Sequence, residues 1–198
     1  MTLVKERLET TRKPLKFTYR ELLALDRAGV LEGKRLELID GELIEMSPPN
    51  PPHAIATTEL GEALILALGE RAKVSVQNPL RLSPDLNDRN LPLPDIAVIA
   101  RRAYRDHPQP EDVYFLIEVA DTSLIDDRGK KLELYAGNGI PEYWIVNLLD
   151  QQIELYTEPK GREYLTRRTF GLTESFAPAR FPELKRQWLP EGLLEPQP

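Results

Sequence analysis

Cysteine is absent from the 198-residue chain. That excludes disulfides, thiolate zinc sites and a cysteine nucleophile, and it suits a reducing cytoplasm. Histidine is scarce, with two residues, too few for a histidine-rich zinc site. No apolar run approaches the roughly 20 residues needed to span a bilayer. The charged start, Met1-Thr2-Leu3-Val4-Lys5-Glu6-Arg7, lacks the apolar centre of a signal peptide. A soluble cytoplasmic protein with no membrane partner is therefore expected. No G-x-x-x-x-G-K phosphate loop is present, and no serine sits in a nucleophile-elbow pattern. Basic residues are not in excess either: 26 Lys and Arg stand against 32 Asp and Glu, a net charge of −6. This balance argues against tight coating of DNA but not against a nuclease, because a bound divalent cation offsets an acidic site. Arg101-Arg102 with Arg105, Arg128 with Lys130-Lys131, and Arg162 with Arg167-Arg168 are the candidate basic clusters. Each reads as a solvated face before it reads as a phosphate contact.

A chain of this length forms one domain with a sizeable core. Residues 1–16 show little periodicity and read as a loose arm, 17–175 as the domain, and 176–198 as a proline-rich extension. Thr18-Tyr19-Arg20-Glu21 fits a capping box opening a helix that stops near Gly29. Asp40-Gly41 between Arg35–Ile39 and Glu42–Met46 predicts a hairpin. Helical spacing follows from His53 to about Arg71, then a short strand at Lys73–Gln77. Asp95–Ala100 and Val113–Val119 read as neighbouring strands, Asp126–Ala136 as a helix, and Glu142–Asn147 as a strand. Gln151–Tyr156 and Glu163–Thr169 predict a closing hairpin. The fold class is α+β (α/β-like), one mixed central sheet with helices beside it.

Chemistry concentrates between Pro94 and Leu148. Glu118 lies inside Phe115-Leu116-Ile117-Glu118-Val119, the composition of a strand covered on both faces. A carboxylate there costs several kcal/mol unless it is paired, protonated or bound to a cation. A satisfying Arg or Lys is one reading, and a metal ligand or catalytic carboxylate is the other. Asp95, after Pro94, is ordinary turn chemistry when taken alone. Beside Glu118 it gains meaning: strands lie about 4.8 Å apart, so facing acids can share one divalent ion. Position 120 is alanine, so a Glu-x-Lys spacing fails. Lys131, in the following helix, reads either as a snorkelling surface lysine or as a cation folded back over the acids. Gln77, His53 and Tyr135 are weaker candidates, read respectively as a strand-end polar residue, a helix-start residue and core filler.

These pieces together resemble the PD-(D/E)XK nuclease superfamily of restriction-endonuclease-like fold, and within it the Uma-type family of bacterial proteins, a domain of unknown function. The resemblance rests on Leu36 to Glu42, His53 opening a helix, Pro94-Asp95, Ile117-Glu118-Val119, and Lys131-Leu132-Glu133-Leu134-Tyr135 through Gly139 to Val146. It implies that Asp95 and Glu118 bind Mg²⁺ or Mn²⁺, and that Lys131 is the catalytic lysine, moved from strand to helix. Glu37 resembles an upstream acid that some members add to the site, or is a strand-surface glutamate facing solvent. Ala120 is the departure from the pattern.

The expected function is a metal-dependent endonuclease hydrolysing phosphodiester bonds of nucleic acid, DNA before RNA. The alternative is a nuclease-fold binding or interaction module with little catalysis, and a purely structural protein ranks last. The Tyr143-Trp144-Ile145-Val146 strand with the hairpin after it is a candidate homodimer face.

Overall fold

The computed structural model describes residues 14–191 and Leu193; the expected arm is described only at 14–16. Thr18 caps helix α1 (Tyr19–Arg27), accepting from the Glu21 amide while the Glu21 carboxylate accepts from the Thr18 amide. Strands β1 (Leu36–Ile39) and β2 (Glu42–Glu45) pair with Leu38 opposite Leu43. Both turn residues take positive φ, Asp40 at 49° and Gly41 at 79°. A side chain at Gly41 would start 2.7 Å from the Lys16 Cβ, so glycine is required there twice over. Asn50 caps helix α2 (Pro51–Leu68) by accepting from the His53 amide, with two prolines in the first turn.

The remaining strands are β3 (Lys73–Val76), β4 (Ile96–Ile99), β5 (Val113–Ala120), β6 (Glu142–Asn147), β7 (Gln152–Lys160) and β8 (Glu163–Gly171). They form one sheet in sequential order, antiparallel throughout except for β5 beside β6. A parallel pair needs a crossover. It is supplied by a helical stretch of three parts: α3 (Leu124–Asp126), a π-helical turn (Asp127–Lys131) and α4 (Leu132–Gly137).

Helix α2 covers one face of the sheet, packing Leu60, Leu64 and Leu68 with Ile96, Phe115 and Trp144. The crossover covers the other, where Tyr135 meets Leu116, Ala120, Tyr143 and Ile145. Both faces are dry, which is why β4, β5 and β6 read as continuous apolar runs rather than alternating ones. The β1–β2 hairpin and α1 form a third cluster around Tyr19, Leu22, Leu38 and Leu91. The expected C-terminal extension is different in kind: Phe176, Phe181, Trp188 and Leu189 are buried in the core beneath α2. Phe176 lies edge-on to Trp144 at 4.8 Å between ring centres. Every residue of β6 is buried, so that strand offers no dimer face; β8 is the sheet's outer strand on that side.

Candidate functional site

Four separate segments bring charged side chains to one buried point. Strand β1 contributes Glu37, the residue before β4 is Asp95, β5 contributes Glu118, and the π-helical turn contributes Lys131. The Lys131 ammonium is 3.2 Å from Glu118, 3.6 Å from Asp127 and 3.7 Å from Glu37. Lys131 is 7 % exposed and Glu118 2 %. The surface reading of Lys131 thus gives way to the folded-back one, because the crossover lays its first turns directly over β5. Its neighbour Lys130 points outward and meets Glu42 at 3.6 Å. Glu37 is buried too, accepting from the Leu93 amide at 3.3 Å, so the solvent-facing reading of that residue is set aside.

Register explains the pairing of acids. Ile96 lies opposite Ile117, so the next positions along, Asp95 and Glu118, face each other. The Asp95 amide donates to Glu118 Oε2 at 3.4 Å, and the Val119 amide donates to Asp95 Oδ2 at 2.9 Å. His53, at the start of α2, places Nε2 3.1 Å from the same Asp95 oxygen, and Gln77 donates to Asp95 Oδ1 at 3.3 Å. Tyr135 donates to Glu118 Oε1 at 2.7 Å. Ala120 is fully buried on the Glu118 face, beneath the crossover.

The environments push these groups in different directions. Burial drives the Glu118 carboxyl well above its usual range, against the pull of Lys131. Burial also pushes Asp95 upward, but the bonds from His53 and Val119 and the charge of Lys131 hold it below the ordinary value. Desolvation disfavours the Lys131 ammonium, yet the surrounding Glu118, Glu37, Asp127 and Asp95 raise it above the usual lysine value. His53 is raised by its bond to Asp95 against the effect of burial. Acids of contrasting affinity for a proton, side by side, make this cluster the candidate site.

A cleft of about 250 Å³ opens onto Asp95, Glu118 and Lys131, lined also by Arg35, Asn50, His53, Gln77, Asp121 and Ser123. Arg35 makes no ion pair among the described residues. A larger groove of about 790 Å³ lies on the outer side of the crossover, between Glu42, Lys130 and Arg162, away from the paired acids.

A family model described as "Putative restriction endonuclease" matches residues 19–190. The chain belongs to this family, Uma2. No curated protein matches it. Among solved structures, it is similar to a protein titled "a putative nuclease belonging to DUF820 from Anabaena variabilis ATCC 29413", with 16 % identity and a TM-score of 0.64. That likeness covers 87 % of this chain and 95 % of the other. The shared fold is the mixed restriction-endonuclease-like sheet with flanking helices.

Within this Uma2 chain, one residue of the cluster escapes the sequence reading. Asp127, 1 % exposed, sits four residues before Lys131 on the same face of the turn. Its Oδ2 accepts from Ser123 at 2.5 Å, while its buried Oδ1 accepts no hydrogen bond. Read linearly, Asp126-Asp127-Arg128 is a charge run like any other. His53, a weaker candidate read as a helix-start residue, does start α2, but its approach to Asp95 spans segments remote in sequence and no local pattern announces it.

Four carboxylates gather about one ammonium, with His53 at the margin, and Asp127 Oδ1 faces that ammonium at 3.6 Å without a hydrogen bond. This donor set is hard oxygen with surplus negative charge, which fits Mg²⁺ or Mn²⁺. Among the described residues no three His, Asp or Glu side chains form a closed metal-holding group. Two carboxylates suffice for Mg²⁺, which keeps waters and is completed by substrate phosphate.

Proposed function

We propose that this chain is a Mg²⁺- or Mn²⁺-dependent endonuclease that hydrolyses phosphodiester bonds in nucleic acid, with DNA as the substrate. The observation that carries the reading is the meeting of Asp95, Glu118 and Lys131 from three segments in an open cleft, with Glu37 from a fourth paired to Lys131 behind them. Asp95 and Glu118 would hold the cation, which supplies polarisation of the phosphate and a lowered pKa of the attacking water. His53, Gln77 and the Val119 amide fix the Asp95 carboxylate in place, and Tyr135 fixes Glu118. Lys131 is the charge that faces the extra negative charge developing at phosphorus. Glu37 and Asp127 hold its ammonium over the acids. Arg35, at the mouth, is free to meet a phosphate of the backbone.

The test uses purified protein with supercoiled plasmid and single-stranded DNA, in Mn²⁺ and in EDTA, beside the Glu118→Gln variant. Cleavage that needs Mn²⁺ and falls to background in Glu118→Gln, with the fold intact, is the expected result. Undiminished cleavage by Glu118→Gln overturns the assignment. A second reading, a binding module on a nuclease fold, is favoured by Ala120 in the place of the strand lysine. A melting temperature that fails to rise in millimolar Mn²⁺, in the absence of cleavage, would select it.

A further inference from the structure

The same row of the sheet that holds Glu118 holds a second buried carboxylate. Glu118 is in register with Ile145, and Ile145 with Glu154, so all three side chains point to the face beneath the crossover. Two strand spacings separate the acids, about 10 Å. Glu154 is fully buried. Its partners are Arg128, whose Nε donates to both carboxylate oxygens at 3.0 and 3.2 Å, Arg167 at 3.1 Å, and the Tyr156 hydroxyl at 2.5 Å. Asp150 adds a contact to Arg128 at 3.9 Å.

Arg128 and Lys131 belong to the same π-helical turn. Its i→i+5 bonding winds more residues into each turn than an α-helix does, so side chains three apart are spread further round the axis. One of them reaches Glu154 and the other Glu118. The turn is therefore suspended across the sheet between two acid–cation contacts.

We infer that Arg128 and Glu154 are positioning residues, a tether that fixes the π-helical turn so that Lys131 is held over Glu118. The inference deepens the proposed endonuclease reading, and rests on it for the catalytic consequence alone. Two features support a tether over simple satisfaction of a buried acid. The planar guanidinium engages both oxygens of Glu154, which fixes orientation as well as distance. Arg167 and Tyr156 both reach Glu154 Oε2 from within the β7–β8 hairpin, whereas Oε1 is bonded by Arg128, so the carboxylate is shared between the hairpin and the turn.

Arg167 supplies the control, because it pairs with the same carboxylate and belongs to β8. Arg128→Ala and Arg167→Ala each leave Glu154 with one arginine and Tyr156, so both variants should fold. The first readout is independent of catalysis: acetylation of individual lysines by acetic anhydride, followed by mass spectrometry, with exposed Lys130 as internal standard. Wild-type Lys131 should be protected. Arg128→Ala should raise its modification rate relative to Lys130 by about tenfold or more, and Arg167→Ala should leave it unchanged. Arg128→Lys, which restores charge without the fork, should recover protection in part.

The second readout is kcat against KM on plasmid in Mn²⁺. Arg128→Ala should lower kcat at least tenfold with KM little changed, and Arg167→Ala should keep kcat. Lys131 equally protected in all variants, or equally exposed by both alanine substitutions, overturns the tether. Selective exposure of Lys131 in a protein whose wild type does not cleave would sustain the tether and refute the endonuclease reading instead.

Discussion

Replacing Lys131 with methionine keeps the length of the side chain and removes its charge. The ammonium has carboxylates at 3.2, 3.6 and 3.7 Å and is 7 % exposed. At an effective dielectric of about 20, each contact is worth roughly 4–5 kcal/mol before desolvation. Burying the ion costs several kcal/mol in return, so the net contribution of the cluster is far smaller than its gross attraction. The larger effect is on what remains. Glu118, Glu37 and Asp127 would be left buried without a counter-ion, a loss of about 3–5 kcal/mol.

For a domain of this size that corresponds to a fall of about 6–20 °C in melting temperature. The sign of the pH dependence follows from the acids. Burial already holds Glu118 and Asp127 above their ordinary values, and removing Lys131 raises them further. A carboxyl with a raised folded pKa stabilises the native state below its unfolded value and loses that contribution as pH rises through the folded one. The deficit of Lys131→Met should therefore be larger at pH 8 than at pH 5. Denaturant unfolding of both proteins at the two pH values, with and without millimolar Mn²⁺, measures it. Mn²⁺ should recover more stability in the variant than in the wild type. A deficit below about 1 kcal/mol at pH 8, or one indifferent to pH, refutes the argument.

Two other outcomes can be measured with the same equipment. Glu142 is buried, its two oxygens accepting from Trp144 Nε1 and the Ala179 amide, and burial raises its carboxyl against those bonds. Glu142→Gln replaces one acceptor by a donor and should cost about 1–3 kcal/mol. The stabilisation from a protonated Glu142 is complete below the ordinary value and lost as pH rises through the raised one, so this penalty should shrink between pH 4.5 and 7.5. A penalty that grows over that range would contradict the raised carboxyl. Arg35→Ala should raise KM for plasmid about ten- to hundredfold with kcat and stability little changed, since a phosphate contact to charge is worth about 1.5–3 kcal/mol. A fall in kcat at constant KM would place Arg35 elsewhere in the reaction.

Much of the fold is legible in short stretches. The capping box at Thr18 and Glu21, the Asp40-Gly41 turn and the β6 strand depend on neighbours within a few residues, and the structure holds each where the sequence places it. Glu118 is conspicuous because a charge inside an apolar strand has few inexpensive explanations. The crossover is legible as a helix but not as a π-helical one, since the winding is decided by contacts at both ends of the turn. The C-terminal segment reads as an extension because prolines interrupt its pattern; its aromatic residues belong to the core because the sheet face beside α2 would otherwise be incompletely covered.

The sequence by itself determined which residue types stand in which elements: an acid before β4, an acid within β5, a lysine in the helix that follows. Those assignments need only periodicity, turn chemistry and the cost of burying charge. The tertiary structure alone decided which of them meet. His53 reaches Asp95 from 42 positions away, Arg128 reaches Glu154 from 26, and Asp127 joins the acids because a parallel β5–β6 pair requires the chain to cross over that face. Local pattern carries no record of such distances. They are set when the strand register and the path of the crossover bring remote charges into one low-dielectric space, where each alters the protonation and placement of the others.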